Sequence, residues 1–229
     1  MNQLLHRDLS NPAHLTNIHT HYNVSYPPLN TSFFSLSPAS QDSIATPLDP
    51  SVHKPLSIAQ LLNKKMRWTT LGGQYDWTAK RYPDSLPPDF PQKVKELLEN
   101  IFADTKAEAA ILNLYSPGDT LSVHRDVAEE SSTGLISISL GCDAVFIIGT
   151  QDSQEKEKVM TLRLRSGSAV YMTGQSRFAW HGVPQIVPGT CPEYLGEWPA
   201  GEAEEGEYEE WRGWMKGKRV NLNVRQMWD

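Results

Sequence analysis

The chain has 229 residues, 39% of them hydrophobic, which is enough for one domain with a buried core, and no apolar run approaches the roughly 18 residues of a membrane helix. Its two cysteines, Cys142 and Cys191, have no C-x-x-C spacing; this excludes a disulfide framework and a thiolate zinc site, so a metal would have to rest on His and carboxylate. The formal charge of -6 is unevenly spread: Glu193, Glu197, Glu202, Glu204, Glu205, Glu207, Glu209 and Glu210 crowd one segment without Lys or Arg, leaving a mildly basic remainder that does not exclude a polyanionic partner.

Residues 1–56 are rich in Ser, Pro, Asn, Thr and His and lack sustained periodicity, which predicts an extended polar arm that wraps the remainder loosely. From Ser57, a fair N-cap, Ile58, Leu61, Leu62 and Met66 follow helical spacing. A second helix is expected with Pro91 at its first position, and with Val94, Leu97, Leu98, Ile101 and Phe102 forming one apolar stripe. Eight short apolar or alternating runs follow, at 109–115, 120–124, 135–140, 144–149, 159–165, 168–173, 179–183 and 219–225. Such strands, separated by the turns S-P-G-D, L-G-C-D and R-S-G-S, predict a mainly β fold with flanking helices, and eight of them fit a jelly roll. The acidic stretch at 184–218 is expected to be an insertion in the sheet.

Five of the seven histidines lie in the arm, leaving His124 and His181 for the β region. In H-R-D, His124 and Asp126 are two residues apart and share a strand face. With a distant histidine they would make the two-His, one-carboxylate set of a non-haem Fe(II) site. Alone, the pair does not distinguish such a site from a polar loop. At the C-terminus, R-V-N-L-N-V-R puts Arg219, Asn221, Asn223 and Arg225 on one face. Turned inward, its arginines would need an anion such as a dicarboxylate; turned outward, they would meet solvent or the glutamate-rich insertion.

N-L-Y-S-P-G-D-T-L-S-V-H-R-D, I-S-I-S-L-G, G-Q-S-R-F-A-W-H-G-V and R-V-N-L-N-V-R-Q, collinear over residues 66–227, resemble the AlkB family of Fe(II)- and 2-oxoglutarate-dependent dioxygenases. The resemblance implies a double-stranded β-helix in residues 57–229. It implies Fe(2+) on His124, Asp126 and His181, and 2-oxoglutarate on Asn113, Tyr115, Arg219, Asn221 and Arg225, with Arg219 at the far carboxylate and Arg225 near the chelating end. R-W-T-T-L-G-G-Q-Y-D-W resembles the family's nucleotide-recognition lid, here at 66–82, making Trp68, Tyr75 and Trp77 candidates to contact a flipped base; packing in the core is the alternative for Trp68. Lys64, Lys65, Arg67, Lys80 and Arg81 flank it as candidate phosphate contacts or as a solvated face.

The insertion and the R-V-N-x-x-V-R-Q form are closest to the AlkB homologue one branch. This implies oxidative demethylation of N-methylated bases in tRNA or DNA, with release of formaldehyde, succinate and CO2. Action on a basic protein such as a histone, drawn by the acidic insertion, and abasic-site lyase chemistry are the alternatives. Where the bacterial founder has a base-reading acid, this chain has Ala128, with Glu129 or Glu130 left to substitute. L-L-H-R-D-L-S-N-P-A-H-L-T-N resembles an internal segment of longer members, so a shortened N-terminus is expected. The expected protein is a monomer of the nucleus or cytoplasm, with the mitochondrion left open and no membrane partner.

Overall fold

Strand β12 shows how a seven-residue alternation becomes the centre of a sheet. In the computed structural model, which describes residues 1–76, 79, 81–83, 86–151, 156–200 and 206–228, all seven residues of Arg219–Arg225 are buried. The apolar set faces one layer and the polar set the other. In chain order the strands are β1 (Tyr22–Val24), β2 (Ser43–Pro47), β3 (Leu56–Ser57), β4 (Trp68–Gly72), β5 (Ala109–Tyr115), β6 (Leu121–His124), β7 (Leu135–Gly141), β8 (Ala144–Gln151), β9 (Glu157–Leu164), β10 (Ala169–Met172), β11 (Trp180–Ile186) and β12. Every one of the eight expected strands forms.

They make a five-stranded sheet in the order β10-β7-β12-β5-β4 and a four-stranded sheet in the order β6-β11-β8-β9, while β1, β2 and β3 form a small third sheet. All strand pairs are antiparallel. Tyr115, Leu135 and Met172 from the larger sheet pack with Phe146, Val183 and Ile186 from the four-stranded one, so the two sheets face each other across a small apolar core. Val220, Leu222 and Val224 enter a second, larger core on the opposite face. A mainly β architecture follows.

The arm is not loose. Leu4, Leu5, Leu9, Ile18, Phe33 and Phe34 belong to the same core as Val220 and Leu222. Its apolar residues are local pairs rather than a periodic stripe, so their burial depends on distant partners. Those partners come largely from the insertion: Phe34 meets Trp198, Trp211 and Trp214 edge-on at 5.0, 5.4 and 5.0 Å. The indoles of Trp198 and Trp211 donate to Asn2 Oδ1 and the Leu36 carbonyl at 2.9 and 2.8 Å. The insertion is therefore a packed buttress among its described residues; Glu202, Glu204 and Glu205 lie outside them.

Two further expectations need correction. Helix α1 (Ile58–Gln60) continues as a π-helical turn, Leu61–Lys65, under a Ser57 capping box. Helix α2 (Gln92–Ile101) has Pro91 at its N-cap rather than inside it. Only part of its stripe faces the core: Leu98 is buried, but Leu97 and Ile101 are 61% and 62% exposed. Trp68–Gly72 adds β4 to the edge of the larger sheet. The first part of the expected lid is thus a paired strand, because T-T-L-G offers a backbone edge to β5.

Candidate metal and cosubstrate site

Strands β6 and β11 bring His124 and His181 directly opposite each other, with ring centroids 4.5 Å apart. Past the end of β6, Asp126 places one carboxylate oxygen 3.7 Å from each Nε2. Ligand atoms of the three residues lie within 4.8 Å of one another. Nδ1 of His124 is 2.9 Å from the Ser122 carbonyl, and Nδ1 of His181 is 3.1 Å from the Ala179 carbonyl. A carbonyl only accepts, so each Nδ1 carries the proton and each Nε2 turns its lone pair toward the shared centre. Burial lowers the His181 pKa, keeping that ring neutral. The donor set fits a divalent iron with open positions.

Asp126 is held from behind. Burial would raise its pKa, but Arg225 and the two histidines hold it below the usual carboxylate range. Arg225 Nη2 donates to Asp126 Oδ2 at 3.1 Å. Arg177 donates to the Asp126 carbonyl at 3.0 Å, to the Thr133 carbonyl at 2.7 Å and to Glu129 at 3.1 Å. Glu129 also lies 3.0 Å from Arg225 Nε, and its side chain is 1% exposed. Glu129 is thus committed to two arginines and does not replace the missing base-reading acid at Ala128. Glu130 is exposed. The Arg177 bracket was missed from sequence, although it lies within the quoted G-Q-S-R-F-A-W-H-G-V.

Between the sheets, a narrow cavity has His181 and Arg219 in its wall, together with Asn221, Asn223, Ser137, Leu135, Phe146 and Met172. Arg219 is 1% exposed. Its Nη2 donates to Ser139 Oγ at 3.0 Å, while Nε and Nη1 have no partner among the described residues. Burial pulls this guanidinium down to about 10, still charged at neutral pH. The Tyr115 hydroxyl and Asn223 Oδ1 are also buried without partners; burial pushes the Tyr115 phenol up to about 12, so it stays a donor. The Tyr115 ring lies 5.4 Å from the Arg219 guanidinium. Two unpartnered guanidinium nitrogens in the wall of a cavity that is part polar and part apolar, with the Tyr115 phenol close by, fit a carboxylate arriving there.

Asn221 donates to Ser137 Oγ and the Ile138 carbonyl at 2.9 and 3.0 Å. Asn113, opposite it in register, opens on a neighbouring cleft. Both arginines of β12 are buried, and among the described residues of the insertion Glu197 and Glu209 pair with Arg212 instead.

That cleft, of about 650 Å3, contains His124, Asp126, Asn113, Asn223, Arg225, Ala128 and Tyr75. Tyr75 meets Tyr82 edge-on at 5.3 Å, and Tyr82 accepts from Arg225 at 3.5 Å; Tyr82 had no signal in the sequence beyond its nearness to the lid motif. Trp68, half-buried, lines an adjoining hollow with Arg67, Tyr115 and Asp119 rather than the cleft itself. Trp77 and Lys80 lie outside the described residues. Lys64, Lys65, Arg67 and Arg81 are exposed, and Arg67 pairs with Asp119.

The chain is 52% identical to "N6-methyladenosine RNA demethylase ALKB1" of Pyricularia oryzae, with 99% of this chain and 69% of that protein covered. It is 53% identical to "N6-methyladenosine RNA demethylase ALKBH" of Cryphonectria parasitica, covering 93% and 100%. The model of the 2OG-Fe(II) oxygenase superfamily matches residues 30–225. The chain belongs to the AlkB family of 2OG-Fe(II) oxygenases. The solved structure of OsALKBH1 shares this AlkB-family fold with a TM-score of 0.55 at 22% identity, over 69% of this chain and 77% of that one. As an AlkB-family dioxygenase, the protein uses Fe(II) and 2-oxoglutarate, and His124, Asp126 and His181 supply the expected two-histidine, one-carboxylate constellation.

Proposed function

We propose that this AlkB-family protein removes methyl groups from N-methylated bases in nucleic acid, with N6-methyladenine in RNA as the first substrate to test. The observation that carries the reading is one cavity with His181 and the half-satisfied Arg219 in its wall, beside a cleft that opens on His124 and Asp126. The names of the two fungal relatives support the choice of base and polymer. A jelly roll built from the two facing sheets, with the segment around Tyr75 and Tyr82 serving as lid over the base, completes the proposal.

His124, Asp126 and His181 hold the iron in this reading. When bound, Fe(II) and 2-oxoglutarate would supply the O2-dependent oxidation of an N-methyl group to N-hydroxymethyl, with succinate and CO2 as coproducts, and the hydroxymethyl carbon would depart as formaldehyde. The protein supplies orientation. Arg219 and Tyr115 grip the distal carboxylate, and the Ser139 bond to Nη2 fixes the guanidinium while Nε and Nη1 meet the ligand. Asn221, anchored on Ser137, and Asn113 complete the floor, with Arg225 near the chelating end. Arg225 and Arg177 hold Asp126, one by its carboxylate and one by its backbone.

The test is anaerobic loading with Fe(II) and 2-oxoglutarate, followed by oxygen and a panel of methylated RNA, tRNA and DNA oligonucleotides. Formaldehyde and succinate should appear together on an N-methylated base; succinate without formaldehyde on every member would overturn the reading. A basic protein partner is less supported, since Arg212 already engages Glu197 and Glu209.

A further inference from the structure

The outer face of the four-stranded sheet carries a groove that the metal site does not use. Arg125 lies between His124 and Asp126, and Trp180 immediately precedes His181. Neighbouring strand residues point to opposite faces, so the residues flanking inward histidines turn outward. Across that face Trp180 stands opposite Gly149, and Gly149 opposite Val159. Gly149, having no side chain, leaves a floor between Trp180 and Val159. The resulting groove, of about 480 Å3, is also lined by Phe178, Arg125 and Glu157.

Its rings are open to solvent: Trp180 is 53% and Phe178 43% exposed. Each lies near a guanidinium, Arg125 at 5.6 Å from the Trp180 ring centre and Arg177 at 4.9 Å from that of Phe178. Arg125 also lines the cleft that holds His124 and Asp126, so cleft and groove meet at this side chain.

Resting on the demethylase reading above, we propose that this groove seats the single-stranded nucleotides next to the target base, with Trp180 and Phe178 stacking on bases and Arg125 meeting the phosphate at the turn from cleft to groove. A base delivered into the cleft leaves its neighbours at the rim, where Arg125 stands. Exposed aromatic faces stack on any base, and a guanidinium serves both phosphate and ring. No described residue of the acidic insertion lines the groove, and of its two charged side chains Arg125 stands at the end that meets the cleft while Glu157 lies on β9; the exposed rings, which stack on bases, favour a nucleic-acid strand over a Lys-rich peptide.

The experiment compares the wild type with Trp180→Ala and Trp180→Phe, all loaded with Fe(II) and 2-oxoglutarate under anaerobic conditions. Binding is measured for a single-stranded RNA carrying one N6-methyladenine with flanks on both sides, for the same RNA unmethylated, and for a Lys-rich peptide. Turnover is measured separately on the N6-methyladenosine mononucleotide. Trp180→Ala should weaken binding of both RNAs about tenfold; Trp180→Phe should restore most of it, and mononucleotide turnover should match the wild type. Undiminished RNA binding by Trp180→Ala would overturn the proposal. So would an equal loss of mononucleotide turnover, which would mean that Trp180 only supports His181, and so would Trp180-dependent capture of the peptide in place of RNA. Because binding of unmethylated RNA is scored apart from turnover, a wild type that binds RNA through Trp180 but demethylates nothing sinks only the demethylase reading.

Discussion

His124 and His181 sit opposite each other on neighbouring strands with their ring centres 4.5 Å apart, and each is turned by its own backbone so that Nε2 faces the same point. Replacing His181 by Ala should therefore abolish iron-dependent formation of succinate while leaving the β fold intact by circular dichroism. Retained succinate formation would remove His181 from the metal site.

In the proposed function, Arg219 links stability to cosubstrate. Buried with two nitrogens unpartnered among the described residues, it is a cost to the unliganded protein that an incoming carboxylate would relieve. Arg219→Met should raise the melting temperature of the apoprotein and erase its further rise on adding 2-oxoglutarate. Arg219→Lys should keep the charge but lose the fork, raising the KM for 2-oxoglutarate by about 10-fold or more. Melting curves with and without 2-oxoglutarate check the first, and succinate formation at varied 2-oxoglutarate concentration checks the second.

Glu129 is the shared partner of two buried arginines. Removing it as Glu129→Ala leaves Arg177 and Arg225 without that carboxylate and should cost about 3–5 kcal/mol of stability, measurable by urea unfolding. A loss below about 1 kcal/mol would show that the network contributes little.

Asp8 gives a pH signature. Burial pushes its carboxyl up to about 6 from an ordinary value of 3.8; Gln3 satisfies one oxygen, and the other has no partner. The raised folded-state pKa favours the protonated native form, so its relative stabilisation is present below about pH 4 and lost as pH rises to about 6 and beyond. Asp8→Asn should thus stabilise the protein by about 3 kcal/mol above pH 6, with the gain fading toward pH 4. Denaturant midpoints across this range decide it; a gain independent of pH would exclude the titration as the cause.

Eight of the nine strands of the two large sheets are legible because alternation is a local signal: β5 and β12 have the bounds that A-A-I-L-N-L-Y and R-V-N-L-N-V-R suggest. The metal triad was legible as a motif. The arm was not, because pairs such as Phe33 and Phe34 have no period, and only Trp198, Trp211 and Trp214 from the other end of the chain make their burial favourable. β4 was missed for a related reason, since Trp68–Gly72 becomes a strand by pairing with β5.

By itself, the sequence determined residue types and faces: an H-x-D pair, a later histidine, and arginines spaced by six along one strand. Whether those arginines turned inward was left open, because a period of two selects a face without saying which face is covered. Tertiary structure decided that by burying β12 between β5 and β7 and closing the four-stranded sheet over its polar side. The same closure brought Glu129 and Arg177, 48 residues apart in the chain, into a buried ion pair behind Asp126. Long-range pairing makes that contact, and no local pattern encodes it.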